Sequence, residues 1–132
     1  MLLSLLFTCS AGAATLTVVV TGVTEAKGSV MVAVVAGNPG FKEAIPPAAA
    51  LMQPAQTGEM TFTASDLPPG EYAVKVMHDV NGNGKLDTSF IGMPVEPWAM
   101  SNNARGRFGP PRWEAVKFSI NGDTTHTVTL AK

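Results

Sequence analysis

The sequence predicts an all-β protein, a single antiparallel β-sandwich of about seven strands. Three observations indicate this class: short stretches alternate between apolar and polar residues, turn residues separate them at regular spacing, and no long amphipathic helix is present. With 132 residues, the chain is long enough for one core and too short for two ordinary domains. Such a pattern is typical of two sheets packed face to face.

The N-terminus is typical of an export signal. Residues 2–9 are apolar and are followed by the small residues "SAGAA", so we expect a signal peptide over residues 1–14 and one domain over 15–132. The positively charged start that is usual in signal peptides is missing. Cys9 in "LFTC" leaves lipidation as an alternative. The apolar run is too short for a transmembrane anchor, which needs about 20 residues. The predicted location is periplasmic or secreted. Cys9 is the only cysteine, so we expect no disulfide in the mature domain.

The first half of the domain contains the clearest strand patterns. "TLTVVVTG" places Leu16, Val18 and Val20 on one side, and "GSVMVAVV" is apolar on both faces, as expected of a central strand. The next connection is predicted to hold a helical turn near Phe41–Ala44 and an edge strand near Ala49–Gln53. "EMTFTAS" and "GEYAVKVMHD" then alternate as two further strands.

The C-terminal part is predicted to form a hairpin. "EAVKFSING" aligns Val116, Phe118 and Ile120, and "THTVTLA" aligns His126 with the apolar residues of the last strand. Between them, Asn121-Gly122-Asp123 is a short turn signal, which predicts antiparallel pairing of the two strands.

The stretch "HDVNGNGKLD" between two strand patterns has the spacing of a calcium loop. Oxygen ligands stand at alternate positions, and a glycine occupies the sixth, where the backbone turns sharply. The predicted cofactor is calcium, and its predicted ligands are Asp79, Asn81, Asn83, the carbonyl of Lys85, and Asp87. The acid expected at position 12 is replaced by Phe90, so Glu96, a carbonyl or water would have to complete the shell. The alternative is a plain hairpin turn built on Asn-Gly dipeptides.

The region from "LPPGEYAVKVMHD" to "NGNGKLDTSFIGMPVEPWAMSNNARGRFGPPRWEAVKF" resembles a family of secreted bacterial proteins called domain-of-unknown-function family 2141. The resemblance implies small exported single domains, expected to be β-sandwiches, without an established biochemical activity. The "LPPGEY" turn is also similar to those of transthyretin-like and carboxypeptidase regulatory-like modules. These resemblances favour an Ig-like or transthyretin-like sandwich that serves as an accessory module.

A second long connection, from Met93 to Trp113, is rich in residues that make contacts. The predicted ligand-binding residues are Trp98, Arg105, Arg107 and Trp113, because tryptophan and arginine are frequent at binding hot spots. The alternative is structural: the aromatic rings close one end of the sandwich, and the arginines bond backbone carbonyls. Buried tryptophans would favour the structural interpretation, and tryptophans exposed in a groove would favour ligand binding.

Taken with composition, these patterns predict an exported, non-catalytic module with a calcium-stabilised loop. The net charge of −1 gives no basic excess for nucleic acid, and no nucleophile elbow, HExxH motif or phosphate loop is present. His78 beside Asp79 could serve as a metal ligand, a base or a structural hydrogen-bond donor, and Asp79 with Glu96 or Glu114 could be drawn as an acid–base pair, although nothing in the spacing requires one. The alternative function is binding of a carbohydrate, another small ligand or a protein partner through the second connection.

Overall fold

The computed structural model describes residues 13–82, 96–106 and 109–131. It contains eight strands and two short helices within these ranges. In chain order they are β1 (Ala14–Val23), β2 (Ser29–Ala36), α1 (Gly37–Phe41), β3 (Ala49–Pro54), β4 (Gly58–Leu67), β5 (Gly70–Asp79), β6 (Trp98–Met100), α2 (Trp113–Val116), β7 (Phe118–Ile120) and β8 (Thr124–Thr129). A 3₁₀ turn, Ser101–Asn103, follows β6 directly.

Two sheets form a sandwich, as the sequence predicts. One sheet has three strands in the order β4-β1-β8, and the other has β3-β2-β5 with β6 and β7 both pairing with the far side of β5. All pairings between strands are antiparallel except β1 with β8, which run parallel. The predicted edge strand near Ala49–Gln53 is confirmed as β3, and the predicted central strand is confirmed as β2.

The core lies between the sheets and follows the period-two alternation of the sequence. Each long strand sends every second side chain inward, and most of these side chains are almost entirely removed from solvent. Burial of this apolar surface is the main driving force for the fold. The most deeply buried members are Leu16, Val18, Val20, Val30, Val32, Val34, Phe62, Val74, Ile120 and Val128.

The predicted C-terminal hairpin is wrong. β7 pairs with β5, with Phe118 opposite Tyr72, whereas β8 pairs with β1, with His126 opposite Val18. The chain therefore crosses from one sheet to the other at residues 121–123. Val116 also departs from the prediction, because it lies in α2. A hairpin would place both strands in one sheet, whereas the crossover supplies an edge strand to each.

The outer face of the five-stranded sheet carries a second, smaller apolar cluster. Val35, Ala73 and Val116 are buried there, and Phe41 and Trp113 pack against them from the two helices. Helix α1 begins four residues before the predicted turn near Phe41–Ala44. This start places Pro39 in the first turn of the helix. Proline is tolerated there, because the backbone N–H groups of the first turn have no hydrogen-bond partner within the helix.

Both open edges of the sandwich are tied together by hydrogen bonds. At one edge, the Gln53 side-chain amide donates to the Thr61 carbonyl at 2.8 Å, which joins β3 to β4. At the other edge, Trp98 and Ala131 exchange two backbone hydrogen bonds of 2.9 and 3.2 Å. These bonds fix the start of β6, which lies within the second long connection.

Candidate metal loop and second connection

Two buried carboxylates lie at the base of the predicted calcium loop. Asp79 ends β5 with 3% exposure, and Glu96, just before β6, has 6% exposure. Glu96 Oε2 accepts hydrogen bonds from the Val80 N–H at 2.8 Å and the Asn81 N–H at 3.3 Å. The Glu96 side chain thus spans the base of the connection and orients the first residues of the loop.

The structure places two of the five predicted calcium ligands. Asp79 is buried at the strand end, and Asn81 is exposed in the turn that follows. The other three predicted ligands, Asn83, Lys85 and Asp87, lie outside the described residues. Within the described ranges, no group of three or more His, Cys, Asp and Glu side chains is arranged to hold a metal ion.

Gly28 explains how the backbone at Asp79 can pack closely against the β1–β2 connection. Its φ is +66°, and a Cβ atom built on it would lie 1.9 Å from the Asp79 carbonyl oxygen and 2.7 Å from that of Val80. Only glycine combines this left-handed conformation with such a close approach. The start of the loop is therefore held from both sides, by Gly28 and by Glu96.

His78 faces the interior, on the opposite side of β5 from Asp79. The ring is fully buried, and its Nε2 lies 2.7 Å from the Lys27 carbonyl oxygen. Because a carbonyl only accepts hydrogen bonds, Nε2 must carry the proton. His78 Nδ1 has no hydrogen-bond partner in the described part of the chain. The histidine that an enzyme could use as a base is thus oriented by backbone within the core.

In the second connection, Arg105 is bound to the fold itself. Its guanidinium lies 3.9 Å from the centroid of the Trp98 ring, a cation–π distance. Arg105 Nη2 also donates to the carbonyls of Trp98, at 2.7 Å, and Ala131, at 3.2 Å. Partial burial lowers the pKa of Arg105, but an arginine remains charged at any physiological pH. Arg107 lies outside the described residues.

Trp98 and Trp113 are both partly buried and lie in different surroundings. One side of Trp98 carries Arg105, whereas Trp113 belongs to the second apolar cluster, with its ring centroid 6.0 Å from that of Phe41. Neither ring is the open platform that the ligand-binding interpretation requires, and neither is fully buried.

Ser101 completes the hydrogen bonding of β5, a role that the sequence did not reveal. β6 pairs with residues 75–77 and β7 with residues 70–72, which leaves a gap between them along β5. The fully buried Ser101 hydroxyl fills this gap: Oγ accepts from the Val74 N–H at 2.9 Å and donates to the Val116 carbonyl at 2.6 Å. The only sequence signal is a polar run, "SNNAR", directly after an apolar strand.

The two asparagines after Ser101 bond backbone groups of neighbouring segments. Asn102 Nδ2 donates to the carbonyls of Ala115 and Lys117, at 3.1 and 3.0 Å, and its backbone N–H donates to His126 Nε2 at 3.1 Å. Asn103 Oδ1 accepts from the Thr129 N–H at 2.9 Å. Both asparagines have positive φ, at 63° and 52°, which asparagine tolerates better than most residues. The segment 101–105 therefore joins β5, α2 and β8.

A comparison with known protein families identifies the family of this chain. A model of bacterial proteins described as "Uncharacterized protein conserved in bacteria (DUF2141)" matches residues 18–128. The chain belongs to this family. The match spans the sandwich and both long connections. No curated protein and no solved structure shows a significant match. In the described ranges, no helix has the length and apolar character needed to cross a bilayer.

Proposed function

We propose that this DUF2141 protein is an exported, non-catalytic β-sandwich module whose loop at 79–87 is stabilised by calcium. The observation that supports this proposal is the pair of buried carboxylates, Asp79 and Glu96, where the connection leaves and rejoins the sheet. Calcium is bound by carboxylate, amide and carbonyl oxygens, which are the groups that the loop sequence supplies at alternate positions.

The role of the ion would be to order the connection between β5 and β6. Glu96 already fixes Val80 and Asn81, so an ion at Asp79 would extend this order along the loop. The four acids and amides assigned by the sequence include only two carboxylates, Asp79 and Asp87, and few charged ligands make a weak site. We expect a dissociation constant on the order of 10⁻⁴–10⁻³ M, as in extracellular modules.

The second connection supports a non-catalytic role. The polar side chains from Ser101 to Arg105 bond main-chain groups of the sheets and of α2, and Arg105 covers Trp98. A carbohydrate that stacks on this face of Trp98 would have to displace a guanidinium held by two carbonyls. The alternative of ligand binding through Trp98 and Trp113 is therefore less favoured.

Thermal unfolding in EDTA and in millimolar calcium tests the proposal. A ligand that binds only the native state stabilises it by RT ln(1 + [L]/Kd), about 1.4 kcal/mol at ten times Kd. We expect calcium to raise Tm, magnesium to have little effect, and Asp79→Asn to abolish the rise. Asp66→Asn is the control, because Asp66 is exposed and its positive φ of 60° suits asparagine. Equal calcium responses in both variants would contradict the assignment of the loop.

A further inference from the structure

Three methionines form a row across the outer face of the five-stranded sheet. Met31 on β2 stands directly opposite Met52 on β3 and Met77 on β5. Their chain neighbours Val30 and Val76 point into the core, so the three thioethers project to the other face. Met52, Met31 and Met77 are called the methionine row below. Trp98 on β6 continues it beyond Met77.

The spacing of the methionine row suits a shared ligand. Side chains directly opposite each other on antiparallel strands have Cβ atoms about 4.5–5.5 Å apart. Methionine has three rotatable bonds, so the outer sulfurs of Met52 and Met77 can turn toward an ion above Met31. The row is also accessible: Met52 is 65% exposed, and Met31 and Met77 are partly exposed.

The chemistry of three thioethers selects a soft cation. Thioether sulfur is a soft, neutral ligand that favours Cu(I), whereas calcium, magnesium and manganese favour oxygen. We propose that the methionine row binds one soft monovalent ion, Cu(I), through the sulfurs of Met31, Met52 and Met77. This site shares no residue with the predicted calcium ligands, and it uses thioether sulfurs in place of oxygens.

The positive charges near the methionine row leave room for a cation at its centre. Lys75 lies on the same face, but its Nζ is held by the Phe41 carbonyl at 2.8 Å and Glu43 Oε2 at 3.1 Å. Arg105 lies over Trp98, at the opposite end of the row from Met52. The ion is therefore expected above Met31, the middle residue of the row, and not at the Trp98 end that Arg105 covers.

Competition for Cu(I) with the chelator bicinchoninate, under anaerobic conditions and with the purified protein, tests the site. We expect one Cu(I) per chain. Met31→Leu, Met52→Leu and Met77→Leu should each weaken affinity by about tenfold or more, since even groups outside the ligand set alter metal affinity by about 10–100-fold. The triple variant should lose binding. Leucine approximates the volume of methionine, so the sheet should remain folded.

Met100→Leu is the matched control. Met100 lies on the same outer face, opposite Lys75 and one row away, and is partly buried. Its substitution should leave Cu(I) affinity unchanged. Failure to compete with bicinchoninate, or equal affinity in the wild type and the triple variant, would overturn the proposal.

Discussion

Ser101→Ala should be one of the most destabilising small substitutions in this protein. The Ser101 hydroxyl bonds the Val74 N–H and the Val116 carbonyl, and it is fully buried. Alanine leaves both backbone groups without that partner. A buried polar group left unsatisfied costs about 1–3 kcal/mol, so two such groups lower the free energy of unfolding by about 2–6 kcal/mol.

Chemical and thermal denaturation measure this loss, and amide hydrogen exchange locates it. In a domain of this size, 1 kcal/mol corresponds to roughly 4 °C, so Tm should fall by at least about 8 °C. The Val74 amide should lose protection before that of Val76, which lies in the region paired with β6. Ser119→Ala is the control, because Ser119 is exposed on β7, and it should change stability by less than about 0.5 kcal/mol. A loss below about 1 kcal/mol for Ser101→Ala, with Val74 still protected, would refute the reasoning.

Three further substitutions probe separate parts of the structure. Gly28→Ala should cost at least about 2 kcal/mol in chemical denaturation, because the left-handed strain adds to a clash with the Asp79 carbonyl. Tyr72→Phe should cost about 1 kcal/mol, because it removes the 2.5 Å hydrogen bond from the Tyr72 hydroxyl to the Pro68 carbonyl. Burial lowers the pKa of His126 below 6.5. As the pH falls through 6.5, the imidazole of His126 is therefore protonated in the unfolded chain before it is protonated in the folded protein. The free energy of unfolding should decrease in this pH range, and His126→Gln should remove that part of the pH dependence.

Each of these predictions has its own control or contradicting result. Gly82 has a similar φ of +72° with open space around it, so Gly82→Ala measures the left-handed strain alone. If Gly28→Ala and Gly82→Ala lower the free energy of unfolding equally, that result would argue against a clash at Gly28. If Tyr72→Phe leaves the free energy of unfolding unchanged, the hydrogen bond from the Tyr72 hydroxyl to the Pro68 carbonyl contributes no more than that hydroxyl gains from water in the unfolded chain. For His126, an NMR titration that gives a pKa above 6.5 would reverse the expected sign.

The sandwich could be predicted because its core obeys a local rule. Strands β1, β4 and β5 alternate with period two, so the inward residues Leu16, Phe62 and Val74 follow directly from the sequence. The pairing of β7 and β8 does not follow from local pattern. A short turn signal is compatible with a hairpin or with a crossover between the sheets. Which of the two forms depends on which sheet has a free edge that can pair with the last strand.

The candidate sites show the same division. The spacing of oxygen ligands predicts Asp79 as a calcium ligand, with Glu96 as one way to complete the shell, and this assignment stays a prediction. The role of Ser101 depends on a gap between two strands that are distant in sequence, and that gap exists only in the folded sheet. The methionine row likewise depends on the register of three strands, and the sequence alone does not specify register.

The most direct test of the central claim is a calcium titration of the isotopically labelled protein, followed by NMR. The Val80 and Asn81 amides, which both donate to Glu96, report on the base of the loop. We expect their signals to shift and saturate with a dissociation constant on the order of 10⁻⁴–10⁻³ M, with no such change in Asp79→Asn. Unchanged signals at calcium concentrations well above that range would contradict the account and leave residues 79–87 as a turn without an ion.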